Sequence, residues 1–268
     1  LTTTNNTTGD ISLNGTKLLG AGAITLATAR TLGTNLSENS EYTGSITGST
    51  IALIKTGAGT LTLNPTSSLV FQSAIISAGG LSIAAAKQLT ISGTLTNNGT
   101  FTLKDGATFV PGTSGTSVSG SGTFNVEKQL TGNSATWNST TSGRFWYMGV
   151  PMNNVARSSF GTPGATTNRV WSYSEATKQY SEITSNTATL TTGIGYVHRR
   201  STDGTITFSA VGTDGLRGTD LTISGLTRTS GSSVGFNLIS NPYMAYLDWN
   251  AITKTNVEQT YYIRSNNS

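Results

Sequence analysis

The chain has one histidine, His198, so any scheme that needs an imidazole must use it. It stands in Tyr196-Val197-His198-Arg199-Arg200, at an expected strand end, where a surface or half-buried position is the ordinary setting. Cysteine is absent, which removes thiolate ligands, disulfides and Cys nucleophiles together. There is no histidine pair and no Asp-x-Asp-x-Asp loop to hold a metal. The Asp-Gly pairs beginning at Asp105, Asp203 and Asp214 read as turn chemistry. Glycoside hydrolysis needs two carboxyls at a fixed separation, and Asp105 is the only acid between Gly59 and Val126. No catalytic, cofactor-binding or metal-binding residue is assigned, and no cofactor is expected.

One arrangement suits recognition. Trp171, Tyr173 and Tyr180 surround Glu175 and Lys178 in an expected hairpin, and flat rings beside polar groups can stack on sugars. The preferred alternative is a hairpin that packs those rings onto a core. Tyr243, Tyr246 and Trp249, near the Asn241-Pro242 turn, read as core.

The elements that would position such residues are most legible between Gly59 and Glu127. Four segments there run glycine, spacer, then apolar-polar-apolar: Gly59-Thr60-Leu61-Thr62-Leu63, Gly79-Gly80-Leu81-Ser82-Ile83, Gly99-Thr100-Phe101-Thr102-Leu103 and Gly122-Thr123-Phe124-Asn125-Val126. Leu61, Leu81, Phe101 and Phe124 are spaced by 20, 20 and 23 residues. A second column runs Leu69/Phe71, Leu89/Ile91 and Phe109, and a fainter third holds Ile75 and Leu95. Self-similarity at this period, with alternation inside each segment, predicts a parallel β-solenoid, right-handed and β-helix-like, with rungs of ~20 residues. Leu61, Leu63, Leu81, Ile83, Phe101, Leu103, Phe124 and Val126 should stack inside. Thr60, Thr62, Ser82, Thr100, Thr102 and Asn125 should face solvent. The glycine before each strand suits a corner, where positive φ or close backbone approach is needed. Upstream, Ile11-Ser12-Leu13, Ile24-Thr25-Leu26 and Ile51-Ala52-Leu53-Ile54 read as strands, while 32–50 has no assignable register.

Composition limits the function classes. Only 10% of the 268 residues are charged and 35% are hydrophobic, with 32 glycines, as in extracellular repeat proteins. The net charge of +4 is spread without a Lys/Arg stripe, so no nucleic-acid partner is expected. No apolar run approaches the ~18 residues of a membrane span. The chain opens on Leu1 without an initiator Met or leader, and both ends read as cut. After Val126 the repeat stops and aromatics take over: all four Trp and sixteen of the 21 aromatics lie from Trp137 onward. A boundary is expected there, giving domains 1–137 and 138–268. In the second, strands are expected at 144–150, 169–173, 195–199, 205–209, 220–223, 233–240 and 259–264, with a short helix near Trp249 capped by Asp248.

Two stretches carry family resemblances. Lys55-Thr56-Gly57-Ala58-Gly59-Thr60-Leu61-Thr62-Leu63 resembles the passenger-associated strand repeat of bacterial autotransporter-type proteins, which implies a β-helical surface stalk. Further on come Arg144-Phe145-Trp146-Tyr147-Met148-Gly149-Val150-Pro151, Val170-Trp171-Ser172-Tyr173, Gly193-Ile194-Gly195-Tyr196-Val197 and Gly235-Phe236-Asn237-Leu238-Ile239-Ser240-Asn241-Pro242-Tyr243. Their order, over about residues 123–264, resembles the module that precedes the C-terminal sorting domain in large proteins of Bacteroidetes exported by the type IX system. Phe236 stands where that family usually has Trp, and Ser240 where it has Gly. The resemblance implies surface display and no catalysis.

The expected protein is therefore all-β, a solenoid followed by a jelly-roll-like β-sandwich. It reads as a non-enzymatic, secreted cell-surface structural protein or adhesin, handled by the type IX machinery and meeting surface glycans or other cell-surface proteins. The alternative is a carbohydrate-binding module of a secreted polysaccharide-acting protein.

Overall fold

A computed structural model describes residues 10–48, 50–132, 144–162, 168–232 and 234–263. The chain is all-β, and its first part is a parallel β-solenoid of about five turns. One sheet stacks Ile11–Gly15, Thr31–Leu36, Ala52–Thr56, Leu69–Ile76, Gln88–Asn97 and Thr108–Pro111, with Ser117–Ser119 also pairing to Gln88–Asn97. A second sheet stacks Ser40–Tyr42, Thr60–Leu63, Gly80–Ile83, Thr100–Leu103 and Thr123–Leu130. The ladder Leu61–Leu81–Phe101–Phe124 is in register across adjacent strands, as is Leu63–Ile83–Leu103–Val126. All eight side chains are buried to within 2% of full. Column stacking puts each against the rungs above and below it, so every rung's apolar face is buried by its neighbours.

The corner glycines have a measurable reason. At Gly79, φ is +63° and a Cβ would lie 2.3 Å from the Gly57 carbonyl oxygen. At Gly99 a Cβ would lie 2.4 Å from the Gly79 carbonyl oxygen. Successive corners approach too closely for any side chain.

Three details depart from the expected ladder. Ile75 and Leu95 do not share a column: Leu95 pairs with Ala74 and Ile75 with Thr96, because the register slips between Ile91 and Thr94. The slip accommodates Gly93, whose Cβ would lie 2.7 Å from the Gln72 amide nitrogen. Ser82 points outward as alternation requires but is buried, lying in register between Thr62 and Thr102. Region 32–50 does hold rungs, through Thr31–Leu36, Ser40–Tyr42 and Ile46–Thr47. Polar Thr34 and Ser40 occupy inward positions there and break the apolar signal. Ser40 Oγ is satisfied by the Leu18 N–H and the Glu38 carbonyl.

Lys55, from the autotransporter-like segment, is fully buried beside the corner. Its ammonium donates to the carbonyls of Thr56 and Gly57, and burial pulls its pKa below the ordinary lysine value. In register it lies between Thr34 and Ile76, and Ile76 pairs in turn with Asn97. Asn97, also fully buried, donates to the Thr123 carbonyl and accepts from the Gly99 N–H. Buried donors on this column thus bond main-chain carbonyls at the corner and at a strand start.

The solenoid ends where the parallel pattern does. Thr123–Leu130 pairs along its whole length with Gly204–Val211, antiparallel, from far downstream. Ile206, Phe208 and Ala210 face inward on that strand, and Thr205, Thr207, Ser209 and Val211 outward. Further main-chain bonds, Phe109 N–H to the Met244 carbonyl and Thr116 N–H to the Gly218 carbonyl, join the last rung of the other sheet to the same downstream region.

Downstream, Arg144–Met148, Tyr196–Arg200, Arg169–Ser174 and Gln179–Glu182 form a four-stranded antiparallel sheet in that order. Val155–Ala156 pairs with Thr189–Leu190 beside it. Among the described residues the strands expected at 220–223, 233–240 and 259–264 do not form, Ser233 and Arg264 lying outside those residues; one bridge, Ile194 to Ile239, is all the ladder seen there. Side chains take some of their backbone groups instead: the Tyr243 hydroxyl accepts from the Leu221 N–H, Glu175 from the Gly235 N–H, and Trp249 Nε1 donates to the Gln259 carbonyl. The expected helix is a single 3₁₀ turn, Trp249–Ala251, and Asp248 caps it by accepting from the Asn250 N–H at 2.9 Å.

Candidate functional site

Alternation gives the four-stranded sheet two unlike faces. One carries Trp146, Val170, Tyr196 and His198 toward the core. His198 is fully buried rather than at the surface, with Nδ1 3.1 Å from the Arg169 carbonyl oxygen and its ring 4.8 Å from Phe160. Burial holds its pKa down at about 4, so it is a neutral core side chain. Phe160 also meets Phe208 at 5.3 Å, so this face packs through one ring onto the strand that closes the solenoid.

The opposite face is open. Phe145, Tyr147, Trp171, Tyr173 and Tyr180 all project from it, with Arg169, Val197, Arg199 and Glu182 between them. Tyr180 is 49% exposed, Phe145 39% and Tyr147 37%. The preferred expectation, that the hairpin rings pack onto the core, is thus replaced: Trp171, Tyr173 and Tyr180 come together on the outward side. Tyr173 and Tyr180 are cross-strand partners 5.0 Å apart, and Phe145 lies 6.2 Å from Trp171. Phe145, Tyr147, Trp171 and Tyr180 line a groove of about 450 Å³ together with Arg169, Val197 and Arg199. That volume lies within the ~300–1,000 Å³ typical of small-molecule sites.

The charged groups are ordered. Arg169 makes a two-pronged pair with Glu182, Nε to Oε1 at 3.0 Å and Nη2 to Oε2 at 2.5 Å, and sits 4.8 Å over the Trp171 ring. Hydrogen bonding to Arg169 keeps the Glu182 carboxyl below the usual carboxylate range. Arg199 is the cross-strand neighbour of both Phe145 and Arg169, and its guanidinium lies 5.5 Å from the Phe145 ring centre. Beneath the hairpin, buried Arg157 donates to the carbonyls of Ile183, Gly161 and Asn168.

Glu175 fixes the hairpin tip. Its carboxylate accepts from the N–H groups of Gly235 and Thr229 and the hydroxyls of Thr229 and Thr227. The Gly235 and Thr229 amides, in that order, pull its pKa down to about 2. Lys178, at φ +56°, closes the turn through its N–H to the Glu175 carbonyl and reaches the Ser232 carbonyl with Nζ.

Reading the hairpin alone missed Phe145, Tyr147, Arg169 and Arg199. As strands, Arg144-Phe145-Trp146-Tyr147-Met148 and Tyr196-Val197-His198-Arg199-Arg200 send successive side chains to opposite faces, though neither alternates apolar with polar residues. Both faces carry rings, however, so alternation separates the two sets without saying which is buried. Tyr243, Tyr246 and Trp249 are not core. Tyr246 is 99% exposed, and Trp249 packs only at the surface, against Tyr261 and Lys254. The Asn241-Pro242 turn turns Tyr246 away, while the Tyr243 hydroxyl accepts from the Leu221 N–H.

Among the described residues no cluster of three His, Asp or Glu could hold a metal ion, and no helix is long and apolar enough to cross a membrane. No curated protein and no solved structure matches the chain. Residues 37–266 match a family model described as a domain of unknown function, DUF8693, and the chain belongs to that family.

Proposed function

We propose that this chain is part of a non-enzymatic, secreted cell-surface protein in which the solenoid is a chemically quiet spacer. The open face of the four-stranded sheet is its recognition surface, and glycans are what it recognises. The carrying observation is the set of five aromatic side chains on the solvent side of one sheet, where no core requires them. Rings anchored on a sheet can cover the apolar faces of sugar rings with little loss of side-chain freedom. Export by the type IX system to the surface of a member of the Bacteroidetes belongs to the same proposal, supported by the resemblance over 123–264. So does a jelly-roll-like β-sandwich for 138–268, supported by a sheet with one packed and one open face. A catalytic role has little to work with, since His198 is sealed in the core and Asp105 is the only acid of the ladder.

The test is a glycan array probed with the unaltered chain and with Trp171→Ala and Tyr180→Ala. Retention on a subset of glycans, lost in both variants at unchanged melting temperature, is expected. Retention by the variants equal to that of the unaltered chain would exclude this face as the binding surface.

A further inference from the structure

The charges on the aromatic face are unequal. Arg169 and Arg199 are direct cross-strand neighbours, and the single carboxylate beside them, Glu182, is engaged in both prongs by Arg169. No acid lines the groove itself. We propose that the face takes uronate-type acidic saccharides, the rings stacking on the sugars and Arg199, beside Arg169, meeting the sugar carboxylate. The inference rests on the glycan reading above and narrows it.

Three arguments support an acidic sugar. A guanidinium offers several in-plane N–H donors that match the two oxygens of a carboxylate. Burial, and then the charge of Arg169, hold the Arg199 pKa below the ordinary arginine value, and a bound anion would offset both penalties. Each guanidinium lies over a ring, Arg169 over Trp171 and Arg199 over Phe145, so charge and stacking surface are presented side by side. A nucleic acid strand also combines stacking with anions, but it needs a track of cations matched to successive phosphates. This chain has 16 Lys and Arg against 12 acids and no stripe of them.

The experiment measures binding of the same chain to polygalacturonate, to fully methyl-esterified galacturonan and to oligo(dT), at matched ionic strength. Polygalacturonate should bind at least about tenfold more tightly than the ester, as expected for a charge-assisted hydrogen bond, and should weaken as salt is raised. Arg199→Gln should remove the preference for acid. Because Arg199 is buried, two readings need no such change: the salt series on the unaltered chain, and Tyr180→Ala, which should weaken both polymers alike. Equal binding of acid and ester would overturn the acidic inference and leave the glycan reading standing. Binding of neutral array glycans with neither galacturonan bound would do the same. Failure to retain any polysaccharide would sink both, and tighter binding of oligo(dT) would overturn the inference in favour of nucleic acid.

Discussion

Leu81 and Thr102 stand on opposite faces of adjacent strands, and the same substitution at each tests the stacking of the ladder. Leu81 is 1% exposed and lies between Leu61 and Phe101 in its column. Removing its side chain alone, as in Leu81→Ala, should cost about 3–5 kcal/mol in lost burial and cavity. Leu81→Asp adds a carboxyl with no partner in that column. Keeping it protonated at pH 7 in the fold costs about 4 kcal/mol more, given an unfolded pKa of about 3.9. The total, about 7–9 kcal/mol, rivals the ~5–15 kcal/mol that holds an ordinary domain together. Leu81→Asp should therefore lose its solenoid at pH 7 and regain part of it near pH 4. Thr102→Asp, facing outward, should stay within about 1 kcal/mol of the parent. Urea denaturation followed by far-UV circular dichroism reads both. Equal midpoints for the two variants, or a Leu81→Asp chain that is no less stable at pH 7 than at pH 4, would refute the assigned faces.

Gly99→Ala should destabilise by about 1–3 kcal/mol, since its Cβ would meet the Gly79 carbonyl oxygen at 2.4 Å with only backbone to yield; an unchanged urea midpoint would mean the corners are looser than described. The Glu175 carboxyl has a folded pKa of about 2 against an ordinary 4.5, so its contribution is complete above about pH 4.5 and fades as pH falls toward 2. Near-UV circular dichroism from the hairpin aromatics should show that acid transition, and Glu175→Gln should flatten it; matching pH profiles for the two proteins would remove Glu175 as the anchor.

How much of this was legible depended on what each position buries. The ladder from Leu61 to Val126 could be read because every inward position is apolar and every step is near-constant, so one pattern reports both strand and register. Where Thr34 and Ser40 turn inward the pattern vanishes, although the rungs continue. Gly93 shows a second limit, because one extra residue shifts a column without disturbing the alternation on either side of it. Lys55 shows a third: nothing in Lys55-Thr56-Gly57 says that the ammonium is buried, since only the folded corner exposes two carbonyls for it to bind. In the downstream region Tyr246 and Tyr180 look alike as sequence, and neither is in the core. Aromatic content alone does not separate the core ring Phe160 from the outward ring Tyr180. Only sheet order, which places Tyr196–Arg200 between Arg144–Met148 and Arg169–Ser174, decides it.

The same sheet order links the two ends of the argument. A parallel solenoid that simply stopped at Thr123–Leu130 would leave a strand edge able to pair with any passing chain. Gly204–Val211 occupies that edge, and because it runs antiparallel the parallel stacking rule cannot be extended past it. Its inward Phe208 then touches Phe160, which touches His198 on the back of the aromatic sheet. The strand that terminates the rod is therefore also the floor on which the open face is built. The rings stand on the side of the sheet opposite this contact, so under the proposed function the repeat supports the recognition surface from behind.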